Sequence, residues 1–482
     1  MSENNIVLKH IEVAKKIYQY ILDNKILKGD KLPGGRTFAV QYNVSKNTVY
    51  EALELLQADG YVIIKKDSGT FVTDKIWNTA LSGAPNWDAY INNSWSHNRK
   101  EILDNVFCDE SRIEDDVIYL SQDCLASKFN ASAYINKALE IIPYIIQKNK
   151  LFTQYIFQGD PLYRKIIAEY LNKRWNTDIV QKENMILTPG MPNSIDSLIR
   201  GIISRHDIIY TESPTFFHAV PLILSLGQQV SAIECDEEGI CIDKLYKNLK
   251  RNGRHIICVT PTCRYPNGKT MSLKRRLELL EFSYENKIPL IEFDNMFDME
   301  NILPPLYVLD KHNMVIHAGS IAYHYAFGLG IGWIIAPEYL LNRLAVVSME
   351  TNHYPAQLNH LITSVMLSEN VNGGGIYNQF VDQFIPLRNH HLEECEKLFK
   401  KHLSDIASWD TYNERGLYYI KMDNDISVRK MMNYNSMVRF ASGSIFSSND
   451  SSYILINGIS LSLKKLNQGL EILKSIALKS NK

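Results

Sequence analysis

Six short apolar runs punctuate the chain between residues 185 and 336, and their spacing is what most limits its fold. Met185–Leu187, Ile208–Tyr210, His255–Val259, Pro289–Ile291, Met314–Ile316 and Trp333–Ala336 are strand-length, and they alternate with stretches of ten to twenty residues of helical periodicity. Neighbouring parallel strands need a long crossover, usually a helix, so the alternation predicts an α/β domain with a largely parallel sheet from about residue 116 onward. After residue 390 the pattern becomes helix, short strands and a final helix through Leu463, Leu466, Leu470, Leu473 and Ile476, which predicts a smaller α+β lobe.

The first 75 residues follow another plan. Between Ile11 and Asn24 the apolar positions Ala14, Ile17 and Ile21 repeat at helical spacing, and Gly29-Asp30 with Leu32-Pro33 turns the chain. A short helix follows from Thr37 to Gln41, Asn43-Val44 makes a tight turn, and Ser45 caps a third helix with the buried stripe Val49, Ala52, Leu53 and Leu56. Gly60 stops that helix. Tyr61–Ile64 and Thr70–Val72, joined by Lys65–Gly69, predict a hairpin with a polar tip. Helix, helix, turn, helix and hairpin is the order of a winged helix-turn-helix. Residues 76–115 carry Trp77, Trp87 and Trp95 among Asn, Ser, Gly and Pro without a sustained period, and predict a linker that docks by its aromatics. The expected domains are therefore 1–75, a linker over 76–115, and 116–482.

Composition narrows the function. With 45% hydrophobic and 22% charged residues the chain buries large cores and is not disordered throughout. Its net charge, 52 − 53 = −1, excludes holding nucleic acid by bulk charge. Residues 1–75 carry 11 basic and 9 acidic side chains, or +2, so placement must do what the total does not. Seven cysteines without a CxxC pair or a Cys/His ladder predict neither structural zinc nor a disulfide framework. Residues 1–10 lack the marks of a signal peptide, and no stretch approaches eighteen apolar residues, so the expected setting is soluble and cytoplasmic, with no membrane partner.

Lys46, Asn47, Thr48 and Tyr50 alternate with the buried stripe of the third helix, where a recognition helix presents its first turns to phosphates and base edges. Arg36 near the second helix start and Lys65 and Lys66 at the wing add possible backbone contacts. Singly, each residue fits a solvated charged face equally well; as a set they point to DNA. Residues 29–72 resemble the winged helix-turn-helix of GntR-type transcription regulators, with Leu32-Pro33, Arg36, Ala39, Val44-Ser45, Asn47-Thr48-Val49, Ala52-Leu53, Leu56, Gly60 and Gly69–Val72 in register. The resemblance implies contacts to a double-stranded operator from Arg36, Lys46, Asn47, Thr48, Tyr50 and the wing tip at Lys66 and Gly69. Lys46 stands where the family often has arginine, which keeps a phosphate contact and loses a bidentate fork to guanine.

Over nearly its whole length the chain is similar to the MocR subgroup, in which such a head is fused to a fold-type-I pyridoxal-phosphate domain. The landmarks are Gly159 with Arg164, Leu187–Gly190, Glu212–Phe216, Thr260-Pro261, Tyr265–Gly268, Glu292–Asp294, and Gly319-Ser320 followed by Gly328 and Gly332. Pyridoxal phosphate needs a lysine for its imine and an acid for its ring nitrogen. Against the family pattern, Tyr323 takes the lysine position, Phe293 that of the pyridinium aspartate, Asn295 that of the tyrosine, and Gly330 that of the phosphate arginine. Cys263-Arg264 replaces a His-Gln pair, and Leu455 falls, by a looser alignment, where an arginine holds substrate carboxylate. Each lost charged hydrogen bond is worth roughly 1.5–3 kcal/mol, so no cofactor and no catalytic residue are expected. Phe216 could still stack on a planar ring, and the Gly190 turn could still offer amides to an anion.

Phe216, Arg264, Asp294, Asn295, Tyr323 and His324 form a candidate ligand cleft, with His317 beside it, unless Tyr323 and Phe293 simply fill it. Cys263 beside Arg264 reads as a buried inert cysteine rather than a reactive thiol, and His390-His391 as a solvated pair rather than a metal site. Gly328–Gly332 reads as a close-packed turn without dinucleotide context. The leading expectation is a DNA-binding regulator whose inactive aminotransferase-like domain forms a homodimer, by resemblance, and senses a metabolite. The alternatives are a pyridoxal-phosphate-dependent aminotransferase with a DNA-binding head, and a scaffold that only assembles.

Overall fold

The computed structural model describes residues 9–65, 68–73, 75–76, 105–106, 116–129, 131–148, 156–204, 206–215, 223, 228–249, 253–294, 303–321, 329–352, 357–368, 375–410, 415–433, 437–447 and 449–480. The chain divides into two compact units, Met1–Trp95 and Ser96–Lys482.

In the first unit, α1 (Lys9–Asp23), α2 (Gly35–Gln41) and α3 (Lys46–Ala58) precede an antiparallel hairpin of β1 (Val62–Lys65) and β2 (Gly69–Val72). Their apolar stripes meet in one core that holds Ile17, Ile21, Phe38, Val49, Ala52, Leu53, Leu56 and Val72. α2 begins two residues before the Thr37 start expected from periodicity, because the Gly34 carbonyl already accepts the amides of Thr37 and Phe38. Glycine's poor helix propensity hides that first turn in the sequence. Asn43 takes a left-handed φ of 52°, which turns the chain into α3. There the Ser45 hydroxyl accepts from the Thr48 amide at 3.1 Å and closes one orphan donor of the helix.

The second unit is built on an eight-stranded sheet. After a short β3 (Ile118–Tyr119), its strands are β4 (Met185–Thr188), β5 (Ile208–Ser213), β6 (Gln229–Asp236), β7 (Gly239–Ile240), β8 (His255–Val259), β9 (Leu290–Asp294), β10 (Val315–Ser320) and β11 (Gly332–Ile335). The order is 4-11-10-9-8-5-6-7; strands 10, 9, 8, 5 and 6 run parallel, while β11 and β7 are antiparallel to their neighbours. Side chains of the central strands alternate between two apolar clusters, Ile209, Ile256, Ile291 and Phe293 on one face and Tyr210, Ile257, Leu290 and Val315 on the other. Burial on both faces is why these strands read as unbroken apolar runs. β6, absent from those runs, exposes part of its length near the sheet edge and therefore carries Gln229, Ser231 and Glu234 among its apolar residues.

Helices pack around the sheet: α4 (Ser132–Lys148), α5 (Pro161–Trp175), α6 (Met191–Ile202), α7 (Ile242–Asn248), α8 (Leu273–Asn286), α9 (Leu306–Leu309), α10 (Glu338–Asn352), α11 (Gln357–Leu367) and α12 (Ile376–Leu403). The smaller lobe follows as a four-stranded antiparallel sheet of β12 (Ala407–Ser408), β13 (Leu417–Met422), β15 (Ala441–Ser442) and β16 (Tyr453–Asn457). α13 (Val428–Asn433) and α14 (Leu463–Lys479) complete it, while β14 (Val438–Arg439) pairs with β3. The buried stripe of α14 runs through Leu466, Leu470, Leu473 and Ile476, and Leu463 is only partly covered. His391 corrects the expectation of a solvated histidine pair: it lies inside the fold, with Nε2 2.9 Å from the Gly458 carbonyl and Nδ1 2.5 Å from Lys128, because Phe384, Leu392 and Cys395 turn that face of α12 into the core. Among the described residues no helix is long and apolar enough to cross a membrane. Trp77, Trp87 and Trp95 lie outside the described residues; Ile76 packs into the first unit's core and Val106 into the second's.

Candidate nucleic-acid interface and candidate ligand cleft

The cap at Ser45 sets the first turn of α3 and also holds the Thr48 hydroxyl at 2.8 Å, so Thr48 is partly committed within the head. Lys46 and Asn47 project into solvent from the same turn, and the Lys46 ammonium lies 5.2 Å from the centre of the Tyr50 ring. That ring abuts the start of α2, since a Cβ on Gly35 would sit 3.4 Å from it. Arg36, the next residue, is exposed and makes no side-chain hydrogen bond or ion pair among the described residues. Arg36, Lys46, Asn47 and Tyr50 thus share one surface, with cations and amide donors uncommitted to the fold. Such groups can meet phosphate oxygens and base edges. At the hairpin, Gly69 adopts φ +109°, a backbone conformation that strains any residue with a Cβ. Lys65 covers the Phe71 ring at 5.1 Å, while Lys66 lies outside the described residues.

In the larger unit, Phe216, Asn295, Tyr323 and His324 of the candidate cleft lie outside the described residues. The two that are described do not meet. Arg264 is buried, with its guanidinium 3.4 Å from Glu212, whose other oxygen accepts the Thr260 amide at 2.7 Å. Burial raises the Glu212 carboxyl, opposed by the Arg264 charge and that amide. Arg276, fully buried, secures the same loop by donating to the carbonyls of Met271, Pro304 and Pro261 and to the Thr262 hydroxyl. Asp294 ends β9 on the face that also carries Glu292 and His317, which is opposite to the face of Phe293. Burial raises the Asp294 carboxyl, against His317 and Arg174. Glu292 goes the other way: burial would raise it, but His317 at 3.2 Å, Arg276 and the amides of Leu306 and Tyr307 hold it below the usual carboxylate range.

Phe293 faces a buried apolar cluster that also contains Met191, Tyr265, Leu417, Phe446 and Leu455. The sheet registers explain the company: β16 brings Leu455 opposite Tyr419 of β13, and both Leu417 and Leu455 turn inward. At the head of α6 the left-handed Gly190 (φ +107°) starts the helix, and Pro192 in its first turn has no amide to give. The backbone of Gly330–Gly332 lies directly on this turn: a Cβ on Gly332 would stand 2.8 Å from the Gly190 carbonyl carbon, and one on Gly330 would stand 3.3 Å from the Pro189 oxygen. Cys263 is buried.

Three features escape sequence reasoning because their members come from distant segments. One is the Glu292–His317 pair. A second places the Arg415 guanidinium 4.8 Å over the Tyr265 ring near Asp123, whose carboxyl burial pushes up to about 6 in spite of Arg415. The third is a cavity of 160 Å³ between the end of β5, the loop at Asn267 and the small sheet. Only the paired aromatics of β13 and β16 hint at it in the sequence.

Comparison with known proteins adds the following. Residues 10–72 match the family described as bacterial regulatory proteins, gntR family, and residues 125–440 match aminotransferase class I and II. The Bacillus subtilis (strain 168) protein "Uncharacterized HTH-type transcriptional regulator YdfD" is 25% identical over 470 residues, covering 96% of this chain and 95% of the relative. The HTH-type transcriptional regulator NorG of Staphylococcus aureus (strain USA300) is 26% identical over 413 residues, covering 82% of this chain and 88% of its own length. Among solved structures, a multiple substrate aminotransferase from Thermococcus profundus gives a TM-score of 0.71 at 19% identity, covering 82% of this chain and 99% of its own. A Pyrococcus horikoshii kynurenine aminotransferase gives 0.71 at 18%, covering 84% and 100%. These last two are likenesses of fold.

Proposed function

We propose, on the premise that the chain belongs to the aminotransferase class I and II family and is a transcriptional regulator with an aminotransferase-like domain, that this domain has exchanged the chemistry of its fold for structural and sensory roles. The head, residues 1–75, binds a double-stranded operator through Arg36, Lys46, Asn47, Thr48, Tyr50, Lys66 and Gly69. A linker over 76–115 joins it to residues 116–482, which pair two copies, so that two recognition helices reach two half-sites. That larger domain catalyses no transamination, holds no pyridoxal phosphate and answers to a small metabolite held without an imine.

The observation that carries this reading is the company of Phe293. The position that would face a pyridinium nitrogen and the position that would hold a substrate carboxylate, Phe293 and Leu455, belong to one buried apolar cluster. A cofactor's ring nitrogen and phosphate would meet hydrocarbon, the Gly330 backbone and a helix start that includes Pro192, so the residues do not fit the group. In the sequence the imine position is Tyr323, and a phenol cannot form a Schiff base. Losing the acid and the arginine alone costs roughly 3–6 kcal/mol, or hundredfold to ten-thousandfold in affinity. Purified protein mixed with pyridoxal phosphate, scanned in absorbance and treated with borohydride, is expected to yield no covalent adduct by mass. A reduced adduct on a lysine would refute the reading.

A further inference from the structure

We propose that the cavity between the end of β5 and the small sheet is the effector site, and that its ligand is a small primary ammonium compound of about six heavy atoms. This rests on the sensory reading above and names the site and chemical class it leaves open.

Size comes first. The cavity measures 160 Å³, and one of about 150 Å³ accommodates benzene, with its six heavy atoms. Charge selects next. Lys269, the one cation among the described residues of the lining, is already held at 2.8 Å by Glu237 and at 3.0 Å by Asp410. Together with Asp450 these four groups sum to +1 − 3 = −2. An anion would have to displace two carboxylates from Lys269, whereas a cation offsets the existing negative imbalance. The Tyr419 hydroxyl donates to Asp450 Oδ2 at 2.7 Å and so orients the carboxylate; Oδ1 has no hydrogen-bond partner among the described residues. Tyr419 and Tyr453 stack at 4.8 Å, and the Lys421 ammonium lies 6.0 Å from the centre of the Tyr453 ring, so this aromatic pair already draws a cation. Pro214 and Leu417 supply apolar wall for a short methylene chain. Burial raises the Asp450 carboxyl, and an ammonium would restore the countercharge it lacks.

Among the described residues, neither Phe293 nor Gly330 nor Leu455 lines the site. Its walls come from the large sheet through Pro214 and from the small sheet through Leu417, Tyr419 and Tyr453. A ligand that touches both favours the one spacing of the two sheets at which all contacts close.

Isothermal titration of the full chain at neutral pH with n-butylamine, and separately with butyrate and alanine, tests the proposal. Butylammonium is expected to bind, butyrate to give no heat, and Asp450→Asn to weaken butylammonium at least tenfold while keeping the thermal midpoint of the parent. If Asp450→Asn does not fold, Asp410→Asn must show the same weakening. Butyrate or alanine binding more tightly than butylamine, an unchanged Kd in the variant that folds, or no heat with any of the three overturns the site. A borohydride-reducible pyridoxal adduct would sink the reading of catalytic loss and leave these titrations as they are, so the two failures are distinguishable.

Discussion

The first turn of α3 and the inward-facing positions of β9 and β16 stand in opposite relations to their folds. On α3, the polar groups at Lys46 and Asn47 point outward from a helix whose cap and apolar stripe are satisfied without them. On the strands, Phe293 and Leu455 both turn into the core. An exposed contact residue is nearly free of the stability of its domain, so a binding surface can keep its chemistry whatever the core does. A charged group at such an inward position is costly to bury without a partner, so hydrocarbon is the more stable occupant there.

The contrast can be broken by experiment. The largest effect is expected at the surface: replacing Arg36 and Lys46 together by alanine should weaken operator binding by roughly 3–6 kcal/mol, hundredfold or more, at fixed salt. The unfolding midpoint of the head should barely move, because surface changes away from caps and cores stay within about 0.5 kcal/mol. Unchanged affinity in a mobility-shift assay would remove both residues from the interface. Inside the core the signs reverse. Phe293→Asp, which restores an acid to the strand end, should cost about 4 kcal/mol or more of stability in the larger unit, read as a lowered thermal midpoint, and should leave operator recognition by the separate head intact.

Third, His360 beneath the α6 turn has its pKa pushed down by burial to about 4, although the Thr188 carbonyl at 3.3 Å favours the proton. The folded state therefore binds fewer protons than the unfolded one between pH 6.5 and about 4. Its contribution is present above pH 6.5 and falls away, by about 3 kcal/mol in all, as pH drops through that window. Urea unfolding at pH 7.5 and 4.5 should show a narrower gap between the two values for His360→Gln than for the parent; an equal gap would contradict the buried neutral ring. The smallest effect sharpens the surface side: Ser45→Ala should cost the head about 1 kcal/mol by freeing the Thr48 amide, seen in its melting curve.

Much of this was legible before any coordinates. The stripe Val49, Ala52, Leu53 and Leu56, the Ser45 cap and the two hairpin strands are set by local periodicity and turn chemistry, and they recur as expected. The central strands were legible because both faces are buried; β6 was not, since an edge position lets polar residues break the run. The face of Asp294 was within reach of the sequence: adjacent residues of a strand face opposite ways, so Phe293 and Asp294 could not both look into one cleft. Arg264 shows a further limit, since its buried partner Glu212 lies 52 residues away and only the parallel pairing of β5 with β8 brings the two together.

The seating of Gly330 and Gly332 on the Pro189–Gly190 turn decides which of the two positions could accept a side chain. Gly330 has φ +53°, and a side chain there would press on the Pro189 oxygen at 3.3 Å. At Gly332 the constraint is harder, since a Cβ would stand 2.8 Å from the Gly190 carbonyl carbon, a backbone atom that cannot swing aside as a side chain would. The pair of glycines is a spacer of zero width: a side chain at 332 would part this loop from the start of α6.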